Sequence, residues 1–346
     1  MTSSATTSPE PTPVGDKPHT ARPRTMALMP DGRVVHDASP AQIAAIRAGQ
    51  GGSIWVDIES TNLHHVGLLD HAFHFHPLAI EDVLNPMSRA KLDAYDEYLF
   101  IVLRTVSFAA NTEDPYDLDT MNLNIFLGAN YVVSAHAGPS PTTESVMQMV
   151  ERNPDLLARG TARVAHLLCD AAVDAYFPIL DQLDEFIDGL ESRVFARFDE
   201  TALQDIFRVK RLVLSLRRFL APQREIFNVL TNRPTPLLPA ESQLYFRDVY
   251  DHVLRINDGL DTYRELLSGT LDSYLTQVSN RLGMITKGLS VIATLSVPFV
   301  VISGMWGMNF EHIPLHDHPG GFWLMLVIQA GLGVGLLAML RRWKLI

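Results

Sequence analysis

Two stretches near the C-terminus carry no charge at all. One runs over 19 residues from Gly288 to Trp306, the other over 21 from Gly320 to Leu340. At about 1.5 Å per residue each would cross most of a hydrocarbon core about 30 Å thick, so the pattern predicts two transmembrane helices. A buried hairpin in a soluble domain is the competing reading, and the basic anchor Arg341-Arg342-Trp343-Lys344 argues against it. Arg281 and Lys287 precede the first span, while the connection Gly307 to Pro319 has neither Lys nor Arg. Positive charge stays inside, which predicts that both termini are cytoplasmic.

Upstream the pattern changes twice. Over residues 25–141, short β-rich runs alternate with helical stretches. SIWVDI (Ser53 to Ile58), YLFIVLRTVSF (Tyr98 to Phe108), MNLNIFL (Met121 to Leu127) and YVVSAH (Tyr131 to His136) read as strands, and AQIAAIRAG and HVGLLDHAF as helices. Together they predict an α/β domain. Residues 142–287 read as helical almost throughout. From Val164 to Phe195 apolar positions recur at three and four, with Asp181, Asp184, Glu185, Asp188 and Glu191 between them, so one long acid-faced helix is expected. A second helix is expected near Leu203 to Leu220, stopped by Pro222, before the proline-rich NRPTPLLPAES. A third begins near Glu241 and meets no proline before Pro298. Continued to Trp306 it would be about 100 Å long, a stalk joining a cytoplasmic body to the bilayer. The first 24 residues, rich in Ser, Thr and Pro without an apolar core, read as a disordered tail and not as a signal peptide. The loop 307–319 then lies outside, and 341–346 is a cytoplasmic basic tail.

Composition narrows the function. The 346-residue chain is long enough for several structural units. Its 28 Lys plus Arg against 39 Asp plus Glu give a net charge of -11, which argues against nucleic acid as a partner. One cysteine, Cys169, excludes a disulfide framework and a cysteine-based zinc cluster. No GxxxxGK[ST] phosphate loop is present. Near the membrane Gly283, Thr286, Ser290, Ala293, Val297, Val300 and Gly304 make a stripe of small or modest residues at three-and-four spacing, running into the first span. Such a stripe fits helix packing in the membrane. It equally fits a pore, which two spans per chain cannot enclose without further copies. The stripe alone does not choose.

The sequence GMNFEHIP begins where the first span ends. Gly307, Met308 and Asn309, between two C-terminal spans and followed by Phe310, resemble the GMN signature of the CorA family of divalent-cation transporters. WVDI at Trp55, HPLAIEDVLN at His76, RAKLDAYDEYLFIVL at Arg89, YFRDVYDH at Tyr245 and LSGTLDSYLTQVSNR at Leu267 resemble further CorA segments in the same order, over roughly residues 50 to 346.

The resemblance implies an α+β membrane protein assembled as a homopentamer. Its cytoplasmic funnel would combine the α/β domain with long stalk helices, five first spans would line a pore, and second spans would form an outer ring in the inner (plasma) membrane. It implies passive uptake of hydrated Mg2+, with Co2+ or Ni2+ also carried, driven by an inside-negative potential worth about 2.3 kcal/mol per charge per 100 mV. Gly307, Met308 and Asn309 would be the selectivity filter, and Gly283, Thr286, Leu289, Ala293, Val297, Val300 and Gly304 would line the pore. Mg2+ gives up water reluctantly, so a ring of Asn309 amides suits the hydrated ion; a helix C-cap is the plainer role for the same residue. Regulatory Mg2+ between subunits would be held by Glu81, Asp82, Asp170 and Asp248, carboxylates that repel unless a cation intervenes. Family members carry Asn, Met and Thr where Gly283, Thr286 and Val300 stand, whereas the apolar position of Leu289 is kept.

Two other functions compete. A zinc-transporting branch, possible with proton coupling, shares the architecture, and the loop histidines His312, His316 and His318 would suit zinc, nickel or cobalt. Intact Met308 favours the magnesium side. A membrane-anchored metal-dependent enzyme using Asp57, Glu59, Glu81 and Asp82 lacks any local nucleophile or phosphate-binding motif, so no enzymatic activity is expected.

Overall fold

In the computed structural model the described residues are 23–110, 112–196, 199–233, 235–308 and 318–343. They form two compact units. One takes the chain up to Leu190 together with Gln204–Leu267, the other Glu191–Leu203 with Ser268 onward.

The first unit is built on a seven-stranded sheet of β1 (Arg24–Leu28), β2 (Val34–His36), β3 (Ser53–Glu59), β4 (Lys91–Ala94), β5 (Tyr98–Phe108), β6 (Leu118–Gly128) and β7 (Tyr131–His136), in spatial order β2-β1-β3-β7-β6-β5-β4. Strands β3 and β7 run parallel, pairing Ile54 with Tyr131 through Glu59 with His136, and the remaining neighbours are antiparallel. The run YLFIVL in β5 is buried at every position because both faces of the sheet are covered. On one face Ile54, Val56, Ile58, Phe100 and Phe126 pack with residues of α1 (Pro40–Arg47), α2 (Leu63–His71) and α3 (Pro77–Leu84). Beside them Phe75 stacks on Phe126 with ring centroids 4.0 Å apart. The other face meets α4 (Pro141–Arg152), α5 (Asp155–Ala158) and α6 (Thr161–Asp174). There Trp55 donates to Ser134 Oγ at 2.9 Å, and Ser134 donates to Asp57 Oδ1 at 2.6 Å. Strands β1, β2 and β4 left no pattern, β1 being only five residues long and β2 and β4 short and no more than partly buried.

The helices correct two sequence expectations. The stretch Val164 to Phe195 is not one helix but α6 followed by α7 (Phe177–Ala196). Pro178 has no N–H for the Asp174 carbonyl, so α6 ends there, and the proline sits at the second position of a new helix, where an N–H needs no partner. The break turns Tyr176 into the interior, where its hydroxyl donates to the Arg104 carbonyl at 2.8 Å. Conversely, Pro222 does not stop the second helix. Helix α8 runs from Ala202 to Asn232 with the proline inside it. Leu220, Ile226, Phe227 and Leu230 are buried on both sides of Pro222, and their burial outweighs an interior proline's cost of about 3 kcal/mol. Gln223, fully buried, helps by donating to Phe219 O, Tyr176 Oη and Arg104 O.

Helix α9 is continuous over 67 residues, Ala240–Trp306, and α10 spans Gly321–Arg342. Both have an apolar segment long enough to cross a membrane, almost none of it buried within the chain. In the second unit the start of α8 is tied to α7 through Arg193, which bonds Asp199 at 2.7 Å and Thr201 at 2.8 Å. Glu191 accepts from Thr270 of α9 at 3.2 Å, and Gln277 donates to the Val194 carbonyl.

Candidate ion pathway and acid clusters

On the apolar end of α9 the partly covered positions are Val291, Leu295, Pro298, Phe299, Ile302 and Trp306, which recur at three and four and so form one face. Helix α10 meets this face. A Cβ on Gly333 would come within 2.7 Å of Phe299 Cζ, so the missing side chain is what lets the phenyl ring lie against α10. Gln329 donates to the Phe299 carbonyl at 3.5 Å. The stripe Gly283, Thr286, Ser290, Ala293, Val297, Val300 and Gly304 lies elsewhere on the helix, and every member is exposed, as is Leu289. The two glycines of the stripe, Gly283 and Gly304, have open space where a Cβ would be.

At the end of α9 the Gly307 amide bonds the Ser303 and Gly304 carbonyls at 3.1 Å, and Met308 follows with a bond to Met305 O at 3.3 Å. These contacts close the last helical turn. Asn309, like Glu311, His312, His316 and Asp317, lies outside the described residues. His318 is described and serves α10, accepting from the Gly320 amide at 3.1 Å through Nδ1.

The four acids assigned to a regulatory ion fall into two groups. Glu81 and Asp82 sit in the last turn of α3, a helix begun by His76, whose ring accepts from the Leu78 amide, and by Pro77 at the first position. Glu81 is exposed. Asp82 is half-buried: Oδ1 accepts from Ser88 Oγ at 2.8 Å and Oδ2 takes the Lys91 ammonium at 2.7 Å. The loop carrying Ser88 is pinned from the sheet, since Arg104 and Asn122 both donate to the carbonyls of Pro86 and Ser88. Burial pushes the Arg104 guanidinium below its ordinary value.

The second group spans two helices. Asp170 and Asp174 are one turn apart on α6, and Asp248 and His252 one turn apart on α9, so each pair projects from one side of its helix. His252 Nδ1 lies 3.0 Å from Asp174 Oδ1 and 3.9 Å from Asp170 Oδ1, and ligand atoms of these three residues fall within 4.8 Å of one another. Asp170 Oδ1 is shut off from solvent without a hydrogen-bond partner among the described residues. Burial first, then the neighbouring Asp174, raises the Asp170 pKa, with Asp248 adding to it. Nearby, burial and then Arg163 push His166 down to about 4, keeping its ring neutral. The arrangement suits a cation. Its oxygens fit magnesium, and the imidazole adds affinity for cobalt, nickel or zinc. Asp174 and His252 were not anticipated. The signal was present, since Asp174 follows Asp170 by four and His252 closes the YFRDVYDH motif, but only the packing of α6 beside α9 brings them together.

Asp57 and Glu59, the remaining acids of the enzyme alternative, do not assemble with Glu81 and Asp82. Asp57 is buried and bonded to Ser134, His136 and Arg24, and Glu59 accepts from Thr61. A buried carboxylate so fully engaged holds the fold and offers nothing to a substrate.

Comparison with known proteins agrees with this architecture. The model of the CorA-like Mg2+ transporter protein family matches residues 50–342. The cobalt/magnesium transport protein CorA of Thermotoga maritima is 32% identical over 284 residues, which cover 81% of this chain and 80% of that one. The complete structure of the CorA magnesium transporter from Methanocaldococcus jannaschii superposes with a TM-score of 0.79 at 19% identity, covering 92% of this chain and 97% of that chain. The ZntB cytoplasmic domain from Vibrio parahaemolyticus matches with a TM-score of 0.60 at 15% identity, over 74% of this chain and 98% of that chain.

Proposed function

The chain belongs to the CorA-like Mg2+ transporter family, and from that premise we propose that it is a homopentameric channel for hydrated Mg2+, gated by cytoplasmic Mg2+ held between subunits. It is a divalent-cation transporter and a membrane protein; its family is one of transporters, not enzymes. In the proposed arrangement both termini are cytoplasmic in the plasma membrane, residues 25–287 form the funnel, 288–306 the pore-lining span, 307–319 the outer loop and 320–340 the outer span.

One observation carries the pore. Helix α10 covers the Phe299 face of α9 and leaves the stripe bare, so something other than this chain's own second span must face Ala293, Val297, Val300 and Gly304. Copies of the same helix around an axis would supply it. A pore lined by such residues has little to grip a bare ion with, which suits a cation that keeps its water. Selection then belongs to the Gly307-Met308-Asn309 mouth.

For regulation, Asp82 with Glu81 and the group Asp170, Asp174, Asp248 and His252 would hold the cytoplasmic ion. Their charges repel across an interface at low Mg2+, and a bound divalent cation draws them together. His252 gives the zinc reading, with or without proton coupling, a specific foothold. Flux into liposomes containing the purified protein, with Mg2+, Co2+, Ni2+ and Zn2+ compared with and without a pH gradient, separates them. Mg2+ flux indifferent to the proton gradient is expected. Zinc-selective flux that needs the gradient overturns the proposal.

A further inference from the structure

Asp82 already holds a cation of its own. Its carboxylate is fully engaged within the chain, Oδ1 by the Ser88 hydroxyl and Oδ2 by the Lys91 ammonium. The ammonium also contacts Asp93 Oδ2 at 2.6 Å, so it sits between two carboxylates as a divalent ion would. We propose that Lys91 is a tethered competitor of the regulatory Mg2+, and that it sets how much cytoplasmic Mg2+ the Asp82 site requires. The inference rests on the reading of Asp82 as a ligand of that ion.

The surroundings divide the labour. Ser88 is fixed, because its loop hangs by two carbonyls from Arg104 and Asn122, and it fixes the Asp82 carboxylate in turn. Lys91 is free to leave. It lies on β4, the edge strand of the sheet, with Asp93 two residues on and therefore on the same side of the strand. Its side chain is 36% exposed and ends a flexible four-carbon stem. The Phe100 ring, fully buried, lies 5.6 Å from the ammonium and gives it a polarisable backing without closing it in. Held between the carboxylates of Asp82 and Asp93, the ammonium is a positive charge at the Asp82 carboxylate.

Two consequences follow. At low Mg2+ the ammonium neutralises Asp82 and lessens the repulsion between subunits. When Mg2+ arrives it must displace one positive charge from the carboxylate it binds, which raises the concentration needed. A structural ion pair predicts neither a competition nor any shift in that concentration.

The test uses the full chain in detergent and in liposomes, with MgCl2 as the probe. Protection from limited proteolysis, inhibition of flux and the thermal midpoint are followed against Mg2+ for wild type, Lys91→Met, Lys91→Gln, Lys91→Arg and Asp82→Asn. For Lys91→Met and Lys91→Gln the half-effective Mg2+ concentration should fall about three- to tenfold, the scale of two partly exposed ion pairs. Lys91→Arg should stay near wild type, and Asp82→Asn should need more Mg2+. The thermal midpoint without Mg2+ should drop in the neutral variants and recover more on adding it than in wild type. If Asp82→Asn shifts the response while the neutral Lys91 variants do not, or shift it upward, the competitor role is wrong and the Asp82 reading stands. If Asp82→Asn leaves the response unchanged, the ion is not held there and both ideas fall.

Discussion

The two units use the same apolar residues to opposite ends. In the first, Trp55, Phe100 and Phe126 are wholly excluded from solvent. In the second, Leu289 and Val300 are 67% and 68% exposed, although the C-terminal end of α9 and α10 are among the most apolar segments of the chain. The first unit has a closed core of its own. The second leaves its apolar surface bare, as a membrane span does, and the proposed pore would cover part of it with copies of the same helix. Within the first unit the charges differ too: Asp57, buried with His136, is closed off by hydrogen bonds, while Glu81 is exposed and Asp82 and Asp170 are only partly buried.

The largest expected effect falls on the second unit. Asn309→Ala should reduce Mg2+ flux to background while the assembly keeps its size in native electrophoresis, because the stalk and both spans are untouched. Rescue of a magnesium-auxotrophic strain at low Mg2+ by this variant would make Asn309 a cap and nothing more.

Next comes a direct contrast of apolar truncations. Phe126→Ala empties part of a closed core and should cost about 3–5 kcal/mol in unfolding. Leu289→Ala removes an exposed side chain and should change unfolding by less than about 0.5 kcal/mol, while altering conductance. Equal costs in a denaturant titration would erase the distinction between a self-sufficient unit and one completed by partners.

A smaller effect is expected at the proposed regulatory acids. Asp248→Asn should respond poorly to cytoplasmic Mg2+, whereas Asp248→Lys supplies a fixed cation and favours closure without the ion. Interface coupling of this kind is about 1–3 kcal/mol, or roughly 5- to 150-fold in the half-inhibiting Mg2+ concentration. An unchanged response in both variants would return Asp248 to the solvated charges of the surface.

The smallest lies inside the first unit. His136 is buried, with Nδ1 2.6 Å from Gly138 O and Nε2 3.2 Å from Asp57 Oδ1, so both ring nitrogens face acceptors. Burial opposes the protonated ring, but Asp57 outweighs it and raises the pKa above the ordinary 6.5. The stabilisation is thus complete below pH 6.5 and is lost as pH rises through the folded value. Asp57, lowered despite its burial by His136, Ser134 and Arg24, contributes above its ordinary 3.8 and loses that contribution in acid. Thermal midpoints should decline from mildly acidic toward alkaline pH, and His136→Gln should flatten the alkaline limb. A wild-type profile without that decline would mean the ring is neutral when folded.

The strands of YLFIVL and YVVSAH and the apolar spans were legible because their pattern repeats without interruption over the length of an element. Short, half-buried edges such as β4 left no such pattern. The sequence pattern runs a helix through Pro178 and stops one at Pro222, yet it is Pro178 that marks a break and Pro222 that lies inside a helix. Local chemistry is the same at both, and the difference is the packing on either side. At the candidate sites Glu81, Asp82, Asp170 and Asp248 could be named from motifs, while Asp174 and His252 were not, since His252 joins the two α6 acids only where α9 packs beside α6.

What the sequence determined by itself is therefore whatever depends on composition along the chain: two spans long enough for a bilayer, the basic flanks beside them, the family motifs and the alternation of strand and helix in the first unit. Tertiary structure alone decided which acid meets which cation. That Asp82 is held by Lys91 and Ser88, that His252 lies beside Asp170 and Asp174, and that α10 covers one face of α9 while baring the other all arise between residues distant in the chain or on different elements. Hydrophobic burial is an average over many positions and survives in one dimension, whereas a charge pair acts over a few ångströms and exists only once the chain has folded.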